Sequence, residues 1–176
     1  MRSRTTILFA ALLAAAFATT AWGETPTYGV ANATFPEPGV MAAGQPTGEQ
    51  LQLLAEDAYK TVIDLRAPDE PRGYDEVEAA KENGVAYVNI PVTLATLDQA
   101  TIDRFVNAFG KAQRPVLVHC STGNRAGALY YAWLVLAKGA ARETALKRAK
   151  AAGLHQPELI DKIQTLVAER RPPARK

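Results

Sequence analysis

The sequence predicts an α/β sandwich, a mostly parallel central sheet flanked by helices, and three observations lead there. Short, almost wholly apolar runs at Thr61–Leu65, Ala86–Ile90 and Val116–His119 have the length and content of strands buried on both faces. Segments with helical spacing of apolar residues lie between and after them, so strands alternate with helices. The chain that follows an amino-terminal leader, about 150 residues, suits one domain around one core.

The leader comes first. Arg2 and Arg4 precede an apolar run from Ile7 to Phe17, which leads to Ala21-Trp22-Gly23, the pattern of a secretory signal peptide cut after Gly23. That run is too short to span a bilayer. The expected mature protein is therefore exported, periplasmic or secreted, with no membrane attachment. Cleavage removes two of the 20 Lys and Arg and none of the 18 Asp and Glu, which leaves a formally neutral chain. A neutral balance with no basic run argues against nucleic acid or an anionic membrane as partner, so any attraction for anions has to come from a local site. Cys120 is the single cysteine, which excludes an intramolecular disulfide. With only His119 and His155 beside it, a Cys/His metal cluster has no basis, and no cofactor is expected.

Residues 24–39 hold three prolines and little periodicity and read as an exposed lead-in to a domain over 40–170, after which 171–176 form a basic tail. Val40–Ala43 is a short first strand, ended by the turn Gly44-Gln45-Pro46. Thr47 offers a helix N-cap with Gln50 as its capping-box partner, for a helix running to about Ala58. After the strand at Thr61–Leu65, a polar stretch from Arg66 to Gly73 leads into a helix over Tyr74–Glu82 that Asn83-Gly84 terminates. The strand Ala86–Ile90 and a loop from Pro91 to Leu97 precede a helix whose Ile102, Phe105, Val106 and Phe109 share one face. Pro115 introduces Val116–His119, the most apolar strand. Helices over Ala126–Ala137, Ala141–Ala151 and Pro157–Ala168 complete the chain, with Gly139 and Gly153 as breaks. In such folds ligands bind at the carboxyl ends of the strands, which is where Cys120 falls.

Between that last strand and the helix after it lie Cys120-Ser121-Thr122-Gly123-Asn124-Arg125. Successive backbone N–H groups in such a turn converge into a nest, and the helix N-terminus adds its dipole. Gly123 frees the backbone to turn, and Arg125 supplies a planar fork that matches two oxygens of a phosphate or sulfate. A thiol in that field loses its proton readily, which makes Cys120 a nucleophile. Ser121, Thr122, Gly123, Asn124 and Arg125 would then bind the anion, while His119 orients the loop and tunes the thiolate.

These residues resemble the Cys-based protein phosphatases, whose signature is His-Cys, five residues, then Arg and a Ser or Thr. The layout Gly44-Gln45-Pro46-Thr47, Val62-Ile63-Asp64-Leu65-Arg66 and Val116–Gly127 is similar to a bacterial branch of that superfamily, the phosphatase-like domain also found fused to β-lactamase-like hydrolases. The resemblance covers Val40 to Val167. It implies a phosphatase-like sandwich and a phosphocysteine mechanism on a phosphorylated protein or small phosphate ester: Cys120 attacks phosphorus, Arg125 and the loop amides hold the oxygens, and water releases phosphate. It also implies a general acid in the loop after the strand ending near Ile90. Asp98 is the first carboxylate there, with helix N-capping as its other role. Asp64 and Asp69 are the next candidates, although a carboxylate placed like Asp64 often anchors a neighbouring loop, and Arg66 is expected to be a structural ion-pair partner.

Two features depart from the pattern. Only four residues separate Cys120 from Arg125, the spacing of rhodanese-type sulfurtransferases, and Ala126 stands where a hydroxyl residue steadies the departing thiolate. Three functions therefore compete: a phosphoric-monoester hydrolase, a sulfurtransferase carrying a persulfide on Cys120, and a non-enzymatic anion-binding domain. Oligomeric state leaves no signature in the sequence.

Overall fold

The computed structural model describes residues 26–170; the expected signal peptide and the basic tail lie outside the described residues. Five strands and six helices follow in the order β1 (Thr34–Glu37), β2 (Val40–Ala43), α1 (Gly48–Glu56), β3 (Thr61–Asp64), α2 (Glu76–Glu82), β4 (Ala86–Asn89), α3 (Gln99–Lys111), β5 (Val116–His119), α4 (Asn124–Leu136), α5 (Arg142–Ala151) and α6 (Pro157–Glu169).

The sheet order is β1-β2-β5-β3-β4. β2, β5, β3 and β4 are parallel and nearly flush, with Val40 and Thr61 both opposite Val116 and Thr61 opposite Ala86. Their carboxyl ends, Ala43, His119, Asp64 and Asn89, therefore meet on one edge, with β5 at the centre.

Period-two alternation divides the core into two layers. Met41, Ala43, Val62 and Leu117 face Leu51 and Leu54 of α1 and Ala80 of α2. Val40, Ala42, Ile63, Val116 and Val118 face the other way, onto α3 to α6. α4 is apolar nearly all round, with ten of its thirteen residues buried, because it packs on the sheet and against α3, α5 and α6. Its closest approach is at Gly127, where a Cβ would stand 2.5 Å from the Leu154 amide nitrogen. Thr47 and Gln50 form the expected capping box on α1.

The lead-in reading of 24–39 is corrected here. Thr34–Glu37 is a strand, antiparallel to β2, with an irregularity between its two registered pairs. Pro36 donates no N–H, which an edge strand tolerates and a central one does not. Arg148 of α5 and Tyr130 of α4 both donate to the Pro36 carbonyl, at 3.2 and 3.3 Å.

Candidate active site

The carboxyl edge of β5 carries the loop. Cys120 is 1% exposed, and α4 begins four residues later, at Asn124. Gly123 holds φ +90°, a left-handed conformation that a side chain resists, and this turn swings its N–H back onto the Cys120 sulfur at 3.1 Å. The amides of Ser121, Thr122, Asn124 and Arg125 have no backbone acceptor among the described residues. Outside the loop, the Ser121 carbonyl accepts from the Gln45 amide at 3.3 Å, and Gly44 bridges Thr122. The turn Gly44-Gln45 thus braces the loop from behind.

Arg125 reaches across the edge. It donates through Nη1 to Glu70 Oε1 at 2.5 Å and to the Val92 carbonyl at 2.8 Å, and through Nη2 to Glu70 Oε2 at 2.6 Å and Ser121 Oγ at 3.0 Å. Glu70 completes a closed ring by accepting from Ser121 Oγ at 2.5 Å and from the Ala67 amide at 2.7 Å. The Arg125 hydrogen bonds, helped by Ser121 and Ala67, hold the Glu70 carboxyl at about 2 against the opposing effect of burial. Glu70 is therefore ionised and committed to Arg125. It went unrecognised in the sequence because it lies in the irregular stretch between Arg66 and Gly73. The available signal was an acid just past the carboxyl end of a central strand.

His119 lies below the loop in a fully buried charge cluster. Its Nε2 stands 3.0 Å from Glu76 and 3.7 Å from Asp64. Arg66 joins the two acids, meeting Asp64 at 2.9 and 3.0 Å and pairing with Glu76. Arg72 and Tyr87 add donors to Asp64 at 2.5 and 2.7 Å. Burial alone would raise the Asp64 carboxyl, but the Arg66 hydrogen bonds, the neighbouring His119 and the Tyr87 hydroxyl together outweigh it and keep Asp64 well below the usual carboxylate range. Asp64 is thus an anchor, and Arg66 is a structural ion-pair partner. Asp64, Glu76 and His119 offer metal-ligand atoms within 4.8 Å of one another, but the guanidinium of Arg66 already neutralises that set.

The remaining sequence-named residues separate. Asn124 turns its side chain away from the loop, accepting from the amides of His155 and Gln156 at 2.8 and 3.2 Å and donating to Gln156 Oε1 at 2.9 Å. It straps the start of α4 to the α5–α6 turn and leaves only its amide for a ligand. Asp98 is exposed and caps α3, accepting from the Thr101 amide at 2.8 Å, which lowers its carboxyl. Asp69 is exposed on the same stretch as Glu70.

Comparison with known proteins identifies the fold and the family. Beta-lactamase hydrolase-like proteins of Xylella fastidiosa and Agrobacterium fabrum are 35% identical over 92 residues, which is 50% of this chain and 21% of theirs. The chain thus matches about a fifth of the length of those relatives. A putative phosphatase (DUF442) from Shewanella putrefaciens shares the fold at a TM-score of 0.67 and 22% identity, covering 80% of this chain and 94% of that one. TpbA of P. aeruginosa, solved in complex with pTyr, superposes at a TM-score of 0.63 and 18% identity, covering 87% and 99%. The family described as DSP-PTPase phosphatase fused to NAD+ kinase matches residues 30–165, and the chain belongs to that phosphatase family.

Proposed function

We propose that the protein is a Cys-dependent phosphoric-monoester hydrolase that works through a phosphocysteine on Cys120. The observation that carries this reading is the Gly123 N–H held on the Cys120 sulfur in a loop whose other amides have no backbone acceptor among the described residues, with Arg125 fixed to Glu70 beside it. The sulfur attacks phosphorus, and the ester oxygen leaves with a proton. Loop amides and Arg125 take the charge that builds on the equatorial oxygens. Water then cleaves the S–P bond to release phosphate, with Cys120 as the leaving group. The substrate is a phosphorylated protein or a small phosphate ester, and the pTyr bound by TpbA supports an aryl phosphate. The leader over residues 1–23 supports an exported setting.

Asp98 is the proposed general acid. In its capping position it would have to release Thr101 to meet a leaving group, so its test separates the two roles. A sulfurtransferase is the second reading, favoured by the four-residue spacing between Cys120 and Arg125. Aryl phosphate turnover by the wild type, abolished in Cys120→Ser, supports the hydrolase. Thiosulfate turnover without it supports the alternative.

A further inference from the structure

The segment before β1 reaches the catalytic loop. Asn32 adopts φ +53°, a left-handed conformation that Asn accepts more readily than most residues, and its side-chain Nδ2 donates to the Thr122 carbonyl at 3.1 Å across 90 positions of chain. The residue immediately before it is also engaged: the Ala31 carbonyl accepts from the Gly44 amide at 2.7 Å.

The consequence for the loop follows from peptide geometry. The Thr122 carbonyl and the Gly123 N–H belong to one planar trans peptide, so they point in opposite directions. Turning the carbonyl outward onto Asn32 aims the N–H inward, and that N–H is the one that meets the Cys120 sulfur at 3.1 Å. The neighbouring peptide obeys the same rule, since the Ser121 carbonyl accepts from Gln45 and its partner N–H, on Thr122, faces the other way. Of these two braces, Asn32 governs the peptide that touches the nucleophile. The Gly44 bridge to Thr122 braces this stretch through backbone, and Asn32 is the side chain that holds the Thr122 carbonyl.

We propose that Asn32 is a positioning residue for catalysis, acting through the Thr122–Gly123 peptide to hold a donor on the Cys120 sulfur. The assignment rests on the phosphatase reading for its turnover readout. A donor on sulfur stabilises Cys120 as the leaving group when the S–P bond breaks, so its effect falls on kcat rather than on the capture of substrate.

Asn32→Gly keeps the left-handed backbone and removes only the side-chain amide. Asn32→Asp keeps the shape and sets an acceptor against the Thr122 carbonyl. Each is measured for kcat and KM on an aryl phosphate, for protection of Cys120 by inorganic phosphate against iodoacetamide, and for thermal midpoint. The expected result is a kcat about three- to tenfold lower in Asn32→Gly, and lower still in Asn32→Asp, from the loss of one hydrogen bond. KM, the phosphate needed for protection and the midpoint stay near wild type. A lowered midpoint with unchanged kcat overturns the proposal and makes Asn32 a tether of the amino-terminal segment. If the wild type turns over no aryl phosphate, the phosphatase reading fails by itself. The rate of Cys120 alkylation at fixed pH then decides the case for Asn32: a slower rate in Asn32→Gly supports it, and an unchanged rate overturns it.

Discussion

At the scale of single residues, the site depends on one sulfur and on the group that keeps its cation in place. Cys120→Ser removes the proposed nucleophile, and aryl phosphate turnover is expected to vanish while the thermal midpoint barely moves. Glu70→Gln keeps the shape of the clamp on Arg125 but removes its charge. Stability should respond to pH in a way that isolates this pair. The Glu70 carboxyl is depressed in the folded state from 4.5 to about 2, so its stabilising contribution is present above about 4.5 and lost as pH falls toward about 2. The wild-type thermal midpoint should therefore drop through that window more steeply than that of Glu70→Gln. Parallel curves would show that Arg125 gains nothing from the charge of Glu70. The residue scale is also where the sequence was least legible. Glu70 acquires its role only when the stretch after β3 meets the start of α4, 55 positions away. Asn124 reads as a ligand by position, yet the fold brings the α5–α6 turn within reach and claims its side chain.

At the scale of elements, local rules were read well and contacts between elements were not. The capping box at Thr47 and Gln50 and the strands β3, β4 and β5 follow from spacing and apolar content alone. β1 was hidden because its proline and short length resemble a loop until β2 pairs with it. α3 poses a direct question through its cap. Asp98→Asn should lower alkyl phosphate turnover by about 10²–10⁴-fold and spare aryl phosphates if Asp98 protonates the leaving oxygen. If both substrates are hydrolysed normally and only the thermal midpoint changes, Asp98 is a cap and the acid lies elsewhere. Gly127 tests the packing of α4 on the turn before α6. Gly127→Ala places a Cβ 2.5 Å from the Leu154 nitrogen and 2.9 Å from the Ala149 carbonyl, both backbone atoms that cannot rotate aside. Overpacking of that kind typically costs about 1–3 kcal/mol, which denaturant unfolding would resolve. An unfolding midpoint equal to wild type would mean that the two elements separate freely.

At the scale of the whole molecule, the flush carboxyl ends of the parallel strands explain why one edge collects the chemistry. β5 delivers Cys120, the stretch after β3 delivers Glu70, the loop after β4 delivers the Val92 carbonyl, and the turn after β2 braces the loop. The fold class and this edge were legible in the sequence, because strand–helix alternation dictates both. The reaction was less so, since four residues between Cys120 and Arg125 suit either a phosphoryl or a sulfane-sulfur carrier. The central claim is that this edge transfers phosphoryl groups through Cys120. It is tested most directly by side-by-side turnover of an aryl phosphate and of thiosulfate plus cyanide by wild type and Cys120→Ser. Phosphate release that requires Cys120, with thiosulfate left unconsumed, is the predicted result. Cys120-dependent thiocyanate formation faster than phosphate release would contradict it.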